Sequence, residues 1–143
     1  VNNTVHLVKL CVGAARVEDL EAWQDARAAG NADYQPRHVT RMWPKREAEL
    51  VNGGSLYWVF KGVILARQRI LRLEEVIGDD GIRRCGIVRE RQIIRTMPAP
   101  RRAFQGWRYL APEDAPPDLP KGRTNDDTLP AALSHELASI GIL

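Results

Sequence analysis

The side chains able to do chemistry are few and scattered in this 143-residue chain. The three histidines, His6, His38 and His135, have no cysteine, histidine or carboxylate at zinc-ligand spacing. Cys85 lies in an apolar run and reads as a small buried hydrophobe rather than a nucleophile. Ser134, His135 and Glu136 are consecutive, and helix neighbours point about 100° apart, so they cannot face one another as a triad. The carboxylate pairs Glu74–Glu75 and Asp79–Asp80 flank a turn and read as solvated surface. There is no phosphate-binding glycine loop and no dinucleotide fingerprint. Metal, covalent and acid–base chemistry therefore have no positive support. No metal or cofactor is implied, and the chain reads as a binding protein rather than an enzyme.

What remains is arginine interleaved with aromatics. Seventeen of the 21 basic residues are arginine, whose planar guanidinium suits phosphate forks and stacking on bases. An arginine-favouring genome would account for that ratio but not for its placement. Residues 1–36 carry a local charge of −2, residues 37–109 carry +9 and residues 110–143 carry −4, giving the net +3. A central basic block points to an anionic partner or to a solvated face. In HVTRMWPKR, alternation puts Arg41 and Trp43 on one side, and Lys45 and Arg46 open a helix whose free N–H groups suit a phosphate. In GVILARQRILRL, the residues Val63, Leu65, Arg67, Arg69, Leu71 and Leu73 share a face. Two arginines on an apolar face must be neutralised internally by carboxylates or line a pocket open to an anionic ligand. In PRRAFQGWRYL, Arg101 and Arg102 precede Gln105, Trp107 and Arg108, with Trp107 and Tyr109 either core or part of a cleft.

The elements that must position these residues follow from periodicity. TVHLVKLCVG reads as a mostly buried strand, and VEDLEAWQDARAAG as a helix with Val17, Leu20 and Trp23 on one face. Arg16 stands where a capping serine or aspartate is expected. RHVTRMW reads as a short strand, followed by a helix PKREAELV with Pro44 in its first turn and Gly53–Gly54 at its end. SLYWVFKGVILARQRILRLEEVI is too long for one strand and divides at Lys61–Gly62. GDDG is a hairpin turn, leading to IRRCGIV, QIIRT, a stretch broken at Pro98 and Pro100, and a strand in AFQGWRYL. Strands clustered behind two helices predict an α+β fold, a small, mostly antiparallel β-barrel with flanking helices. Residues 1–110 form that single domain, 111–127 a proline-rich extended arm, and 128–143 a terminal helix. Its stripe of Leu129, Leu133, Leu137 and Ile140 docks on the domain or on a second copy, as in a homodimer.

With 44% hydrophobic and 27% charged residues, no apolar run long enough to span a membrane and no secretory leader, the composition reads as a cytoplasmic globular domain. Cys11 and Cys85 alone do not make a disulfide framework.

In the motifs HLVKLCVG, HVTRMWPKR, GGSLYWVFKGVILARQRI, GIRRCGIV and PRRAFQGWRYL, the chain resembles an alphaproteobacterial family known as domain of unknown function 1489. The likeness covers nearly the whole chain to about Leu119 and implies no activity. GGSLYWVFKGVILARQRILRLEEV, preceded by a helix, is also similar to PUA-like domains of the ASCH and EVE group. That second resemblance implies a small β-barrel that binds RNA or modified nucleotides in a basic cleft with an aromatic wall. Trp43, Trp58 and Trp107 would supply the wall, with Arg41, Arg67, Arg69 and Arg108 for phosphates or base edges. The first expectation is thus a non-enzymatic module for RNA or a nucleotide. The alternatives are a pocket protein or enzyme acting on a small nucleotide-like anion, and a protein-interaction domain.

Overall fold

The computed structural model describes residues 3–120. Seven strands and two helices follow in the order β1 (His6–Leu10), α1 (Val17–Ala28), β2 (Arg37–Thr40), α2 (Glu47–Leu50), β3 (Ser55–Phe60), β4 (Val63–Ile77), β5 (Arg83–Arg89), β6 (Ile94–Pro100) and β7 (Trp107–Leu110). The architecture is α+β. The expected terminal helix lies outside the described residues.

All seven strands join one mixed sheet in the order β2-β5-β4-β3-β1-β7, with β6 also paired to β4. Only β1 and β3 run parallel. The sheet is not closed into a barrel, because among the described residues no backbone ladder links β2 to β7. Side chains draw its two ends together instead. The Trp107 indole N–H donates to the Met42 carbonyl at 3.0 Å, and the Arg46 backbone N–H donates to the Tyr109 hydroxyl at 3.1 Å. The ladder is replaced there because the chain bends after Thr40, so the strand expected through Trp43 stops three residues early.

Local sequence explains most boundaries. The division at Lys61–Gly62 is a two-residue hairpin turn with φ of 48° and 85°, both in the left-handed region that such turns require. Asp19 supports the start of α1 from the third helical position, its carboxylate accepting the backbone N–H groups of Ala15 and Arg16 in the return half of a capping box. The inward stripe of α1 is Val17, Leu20, Gln24 and Ala28, so Gln24 takes the interior place expected for Trp23, which is exposed. Pro98 and Pro100 do not break β6, which runs to Pro100 on the sheet's margin, where a missing N–H costs little.

The long strand β4 carries two bulges, between Ile64 and Ala66 against β3 and between Ile70 and Arg72 against β5. Each inserts a residue and shifts the alternation. The interior side of β4 is therefore Ala66, Gln68 and Ile70, then Leu73, rather than the face containing Arg67 and Arg69. These residues pack with Leu7, Leu56, Trp58, Phe60, Cys85, Ile87 and Trp107 in the main core. Val8, Tyr57, Val59, Ile64 and Leu110 form a second cluster on the opposite face, against Phe104 and Ala115. The start of the arm is part of the fold: Met97 N–H donates to Pro117 O at 2.8 Å, and Leu119 N–H donates to Arg95 O at 2.9 Å.

Candidate functional site

The structure divides the sequence-selected residues among three places. Arg41 and Lys45 are exposed beside the half-buried Trp43, whose ring carries the Arg83 guanidinium at 4.3 Å. Arg46 is paired with Glu49 at 2.6 Å and lies over Tyr109. The helix expected to begin at Pro44 is only the four residues of α2, and the Arg46 N–H is already bonded to Tyr109. It offers no helix-terminus phosphate site. Trp107 is 8% exposed, packs in the main core edge-on to Tyr109, and has its N–H committed to Met42. Neither it nor Trp58, at 4% exposure, presents an open ring to solvent.

Arg67 and Arg69 part company. Arg67 makes a two-pronged ion pair to Asp118, with Nε at 2.8 Å and Nη2 at 2.9 Å, and donates through Nη1 to the buried Ser55 hydroxyl. The pairing holds the Asp118 carboxyl below its ordinary range and ties the arm to the sheet. Arg69 is exposed and joins no ion pair among the described residues. Arg67→Met is therefore expected to lower stability by about 1–2 kcal/mol, because a buried hydroxyl and a carboxylate lose charged partners. Arg69→Met should stay within about 0.5 kcal/mol of wild type. Urea melts of the two variants check this, and equal midpoints would show that the tie contributes nothing.

The third group is the most open. Arg101 and Arg108 lie over the Phe104 ring, with guanidinium carbons 5.7 and 5.3 Å from its centroid. Arg108 folds back through Nη1 onto the carbonyls of Gln105 and Trp107. The Arg101 N–H donates to Gly62 O, which sets this segment against the exposed Lys61 of the β3–β4 turn. Arg102 and Gln105 are exposed in the same segment. None of the ion pairs among the described residues involves Lys61, Arg101, Arg102 or Arg108. By contrast Arg37, Arg46, Arg67, Arg72, Arg83, Arg84 and Arg95 are all paired with carboxylates. Part of the central +9 is thus neutralised locally, while this group, like the exposed Arg41, Lys45, Arg69 and Arg91, joins no ion pair among the described residues.

A polar cluster inside the sheet is one that sequence patterning does not reveal. Arg89 ends β5 on the same side as Cys85 and Ile87 and is 6% exposed. Its Nε donates to Gln68 Oε1 at 2.9 Å, and its guanidinium carbon stands 5.2 Å from the Trp58 ring centroid. Gln68 also accepts the Trp58 indole N–H at 3.0 Å and donates to Gln24 Oε1 at 2.7 Å and Glu90 O at 2.9 Å. Gln24 in turn donates to Arg91 O. His38 meets Trp58 edge-on at 5.8 Å. Burial, then the charges of Lys9 and Arg89, pushes the His38 imidazole down to about 4, so it is neutral at pH 7. The one signal that could have found the cluster is register: Lys9 alternates with Leu7 and pairs with Trp58, which places a lysine on a core face.

Among the described residues no three histidine, cysteine or acidic side chains gather as metal ligands, and no helix is long and apolar enough to cross a membrane. No curated protein and no solved structure matches the chain. The family comparison does place it: a family model matches residues 7–143, and the chain belongs to DUF1489, described as a protein of unknown function.

Proposed function

We propose that this chain is a non-enzymatic binding module for RNA or a modified nucleotide, engaged through the face formed by Lys61, Arg101, Arg102 and Arg108. The observation that carries this reading is the aromatic ring of Phe104 lying under two guanidiniums, Arg101 and Arg108, that join no ion pair among the described residues. Arg102 is exposed in the same segment, whose backbone is bonded to Gly62 beside the exposed Lys61, and none of the four cations joins an ion pair among the described residues. Phe104 supports two of the guanidiniums from below, leaving them oriented for phosphates or for stacking on bases. The PUA-like resemblance of the β3–β4 segment agrees with such a use, by analogy alone. In this reading the aromatic of the binding face is Phe104, and Trp107 belongs to the core beneath.

Binding of a short single-stranded RNA, followed by fluorescence anisotropy, should weaken with salt. Each neutralised phosphate contributes about −0.7 to the log–log slope, so four contacts give about −3. The combined replacement R101A, R102A and R108A should reduce that slope by about 2 with melting unchanged. Absence of binding at low salt, or an undiminished slope in the triple variant, would make the basic face a merely solvated one.

A further inference from the structure

The main-core side of the sheet holds positive charge that no ion pair among the described residues balances. Arg89 is almost wholly buried, and its Nη1 has no hydrogen-bond partner among the described residues. Its remaining contacts are neutral: the amide oxygen of Gln68 and the face of Trp58. Lys9 stands on the same side of the sheet, between Leu7 and Cys11, opposite Trp58 and Trp107 in the register of β3 and β7. No ion pair among the described residues reaches either cation. The groups acting on the Arg89 charge are the Tyr34 hydroxyl, the Cys11 thiol and a third cation, Arg27. Burial pushes the Cys11 thiol up to about 11, so it supplies no negative charge at pH 7. His38, neutral and half-buried, adds one further N–H donor.

An unpaired ion held out of water costs several kcal/mol, and folded chains otherwise pair such groups. A guanidinium with a vacant donor, an ammonium group and a neutral imidazole converge on the chemistry of one ligand group, a dianionic phosphate. Lys9, His38 and Tyr34 are half-buried rather than sealed, which leaves a way in from the rim. We propose that the main-core side of the sheet binds a phosphate monoester at its rim, the phosphate held between Arg89 and Lys9 with His38 as an additional donor. This site is separate from the Lys61–Arg108 face and rests on the interior cluster alone. Free phosphate and a nucleoside monophosphate share the recognised group, and they differ in whether the rest of the molecule adds contacts at the rim.

The test is thermal melting of the full chain against inorganic phosphate, a nucleoside monophosphate, and sodium chloride at matched ionic strength. Saturable rises of about 4 °C with the phosphates and not with chloride are expected. A lower half-saturation for the monophosphate would identify a nucleotide as the occupant, and equal values would identify phosphate itself. R89M and K9M should each abolish the rise, whereas the triple variant of the outer face should keep it even if RNA binding fails. Because Arg89 is unpaired, R89M should melt no lower than wild type. If R89M does not fold, K9M decides, since Lys9 is only half-buried. A rise reproduced by chloride, no saturable rise up to millimolar phosphate, or a full rise retained in K9M would overturn the proposal and leave Arg89 a structural strut.

Discussion

Replacing Gln68 with leucine is expected to destabilise the fold by about 4 kcal/mol, since each buried polar group left unpaired costs about 1–3 kcal/mol. Gln68 has no solvent exposure and joins four groups: the Trp58 indole, the Arg89 guanidinium, the Gln24 amide and the Glu90 carbonyl. Leucine fits the volume but meets none of them. Two donors lose their acceptor at once, one of them on a buried cation. The loss is a large share of the roughly 5–15 kcal/mol that holds a domain together. Gln24→Leu should cost less, about 1–2 kcal/mol, because it removes one arm of the network and leaves Trp58 and Arg89 bonded. Urea denaturation of both variants measures the difference. A Gln68→Leu midpoint close to that of Gln24→Leu would mean that water takes over the amide's bonds.

The centrality of Gln68 is hidden from the sequence by the same feature that exchanges the faces of β4. A strand alternates strictly only while its ladder is regular, and a bulge of one residue swaps its two sides. Alternation from Val63 places Arg67 and Arg69 on the buried face. The bulge between Ile64 and Ala66 instead puts Ala66, Gln68 and Ile70 inside and leaves the arginines on the side of the arm. Hairpin punctuation is fully legible, because Lys61–Gly62 and Gly78–Gly81 act through local backbone conformation. The helix α2 is shorter than its sequence suggests for a tertiary reason. The chain at Trp43–Arg46 is held in a non-helical bend by its bonds to Tyr109 and Glu47, so the helix begins later than its proline implies.

Candidate site residues are legible in kind more than in place. Of the arginine–aromatic motifs, the one around Phe104 stays open, while Trp107, read as a wall or as core, takes its place in the core beside Tyr109. Composition locates the basic block, but only geometry shows which of its charges have partners. Arg67 finds Asp118, 51 positions away, and no local pattern announces such a pair. Arg89 is inconspicuous because IRRCGIV reads as a finished apolar strand, and the arginine that follows looks like its solvent-facing end.

Stability should fall by about 3 kcal/mol as the pH drops from 6.5 to 4, each pH unit in that window being worth about 1.36 kcal/mol. The group responsible is His38, lowered from its ordinary 6.5 to about 4 by burial first and then by the charges of Lys9 and Arg89. Its folded value lies below its unfolded one, so the stability it contributes is complete above pH 6.5. That contribution is lost as the pH falls through about 4, because the unfolded chain takes up the proton first. His6, lowered by burial and by Arg67, acts in the same direction. The carboxylates paired with arginine, Glu49, Glu74 and Asp118, titrate below their ordinary values and so lose their contribution at more acidic pH. His38→Gln should therefore flatten most of the decline between pH 6.5 and 4 and leave the steeper loss below it. A decline unchanged in that variant would assign it to His6 or to the carboxylates. The same imidazole also reports on the interior site: a phosphate dianion seated between Lys9 and Arg89 would cancel the repulsion that disfavours its protonation. Phosphate should then move the His38 titration, followed by its ring proton resonances, back toward 6.5 in wild type and leave it unmoved in K9M.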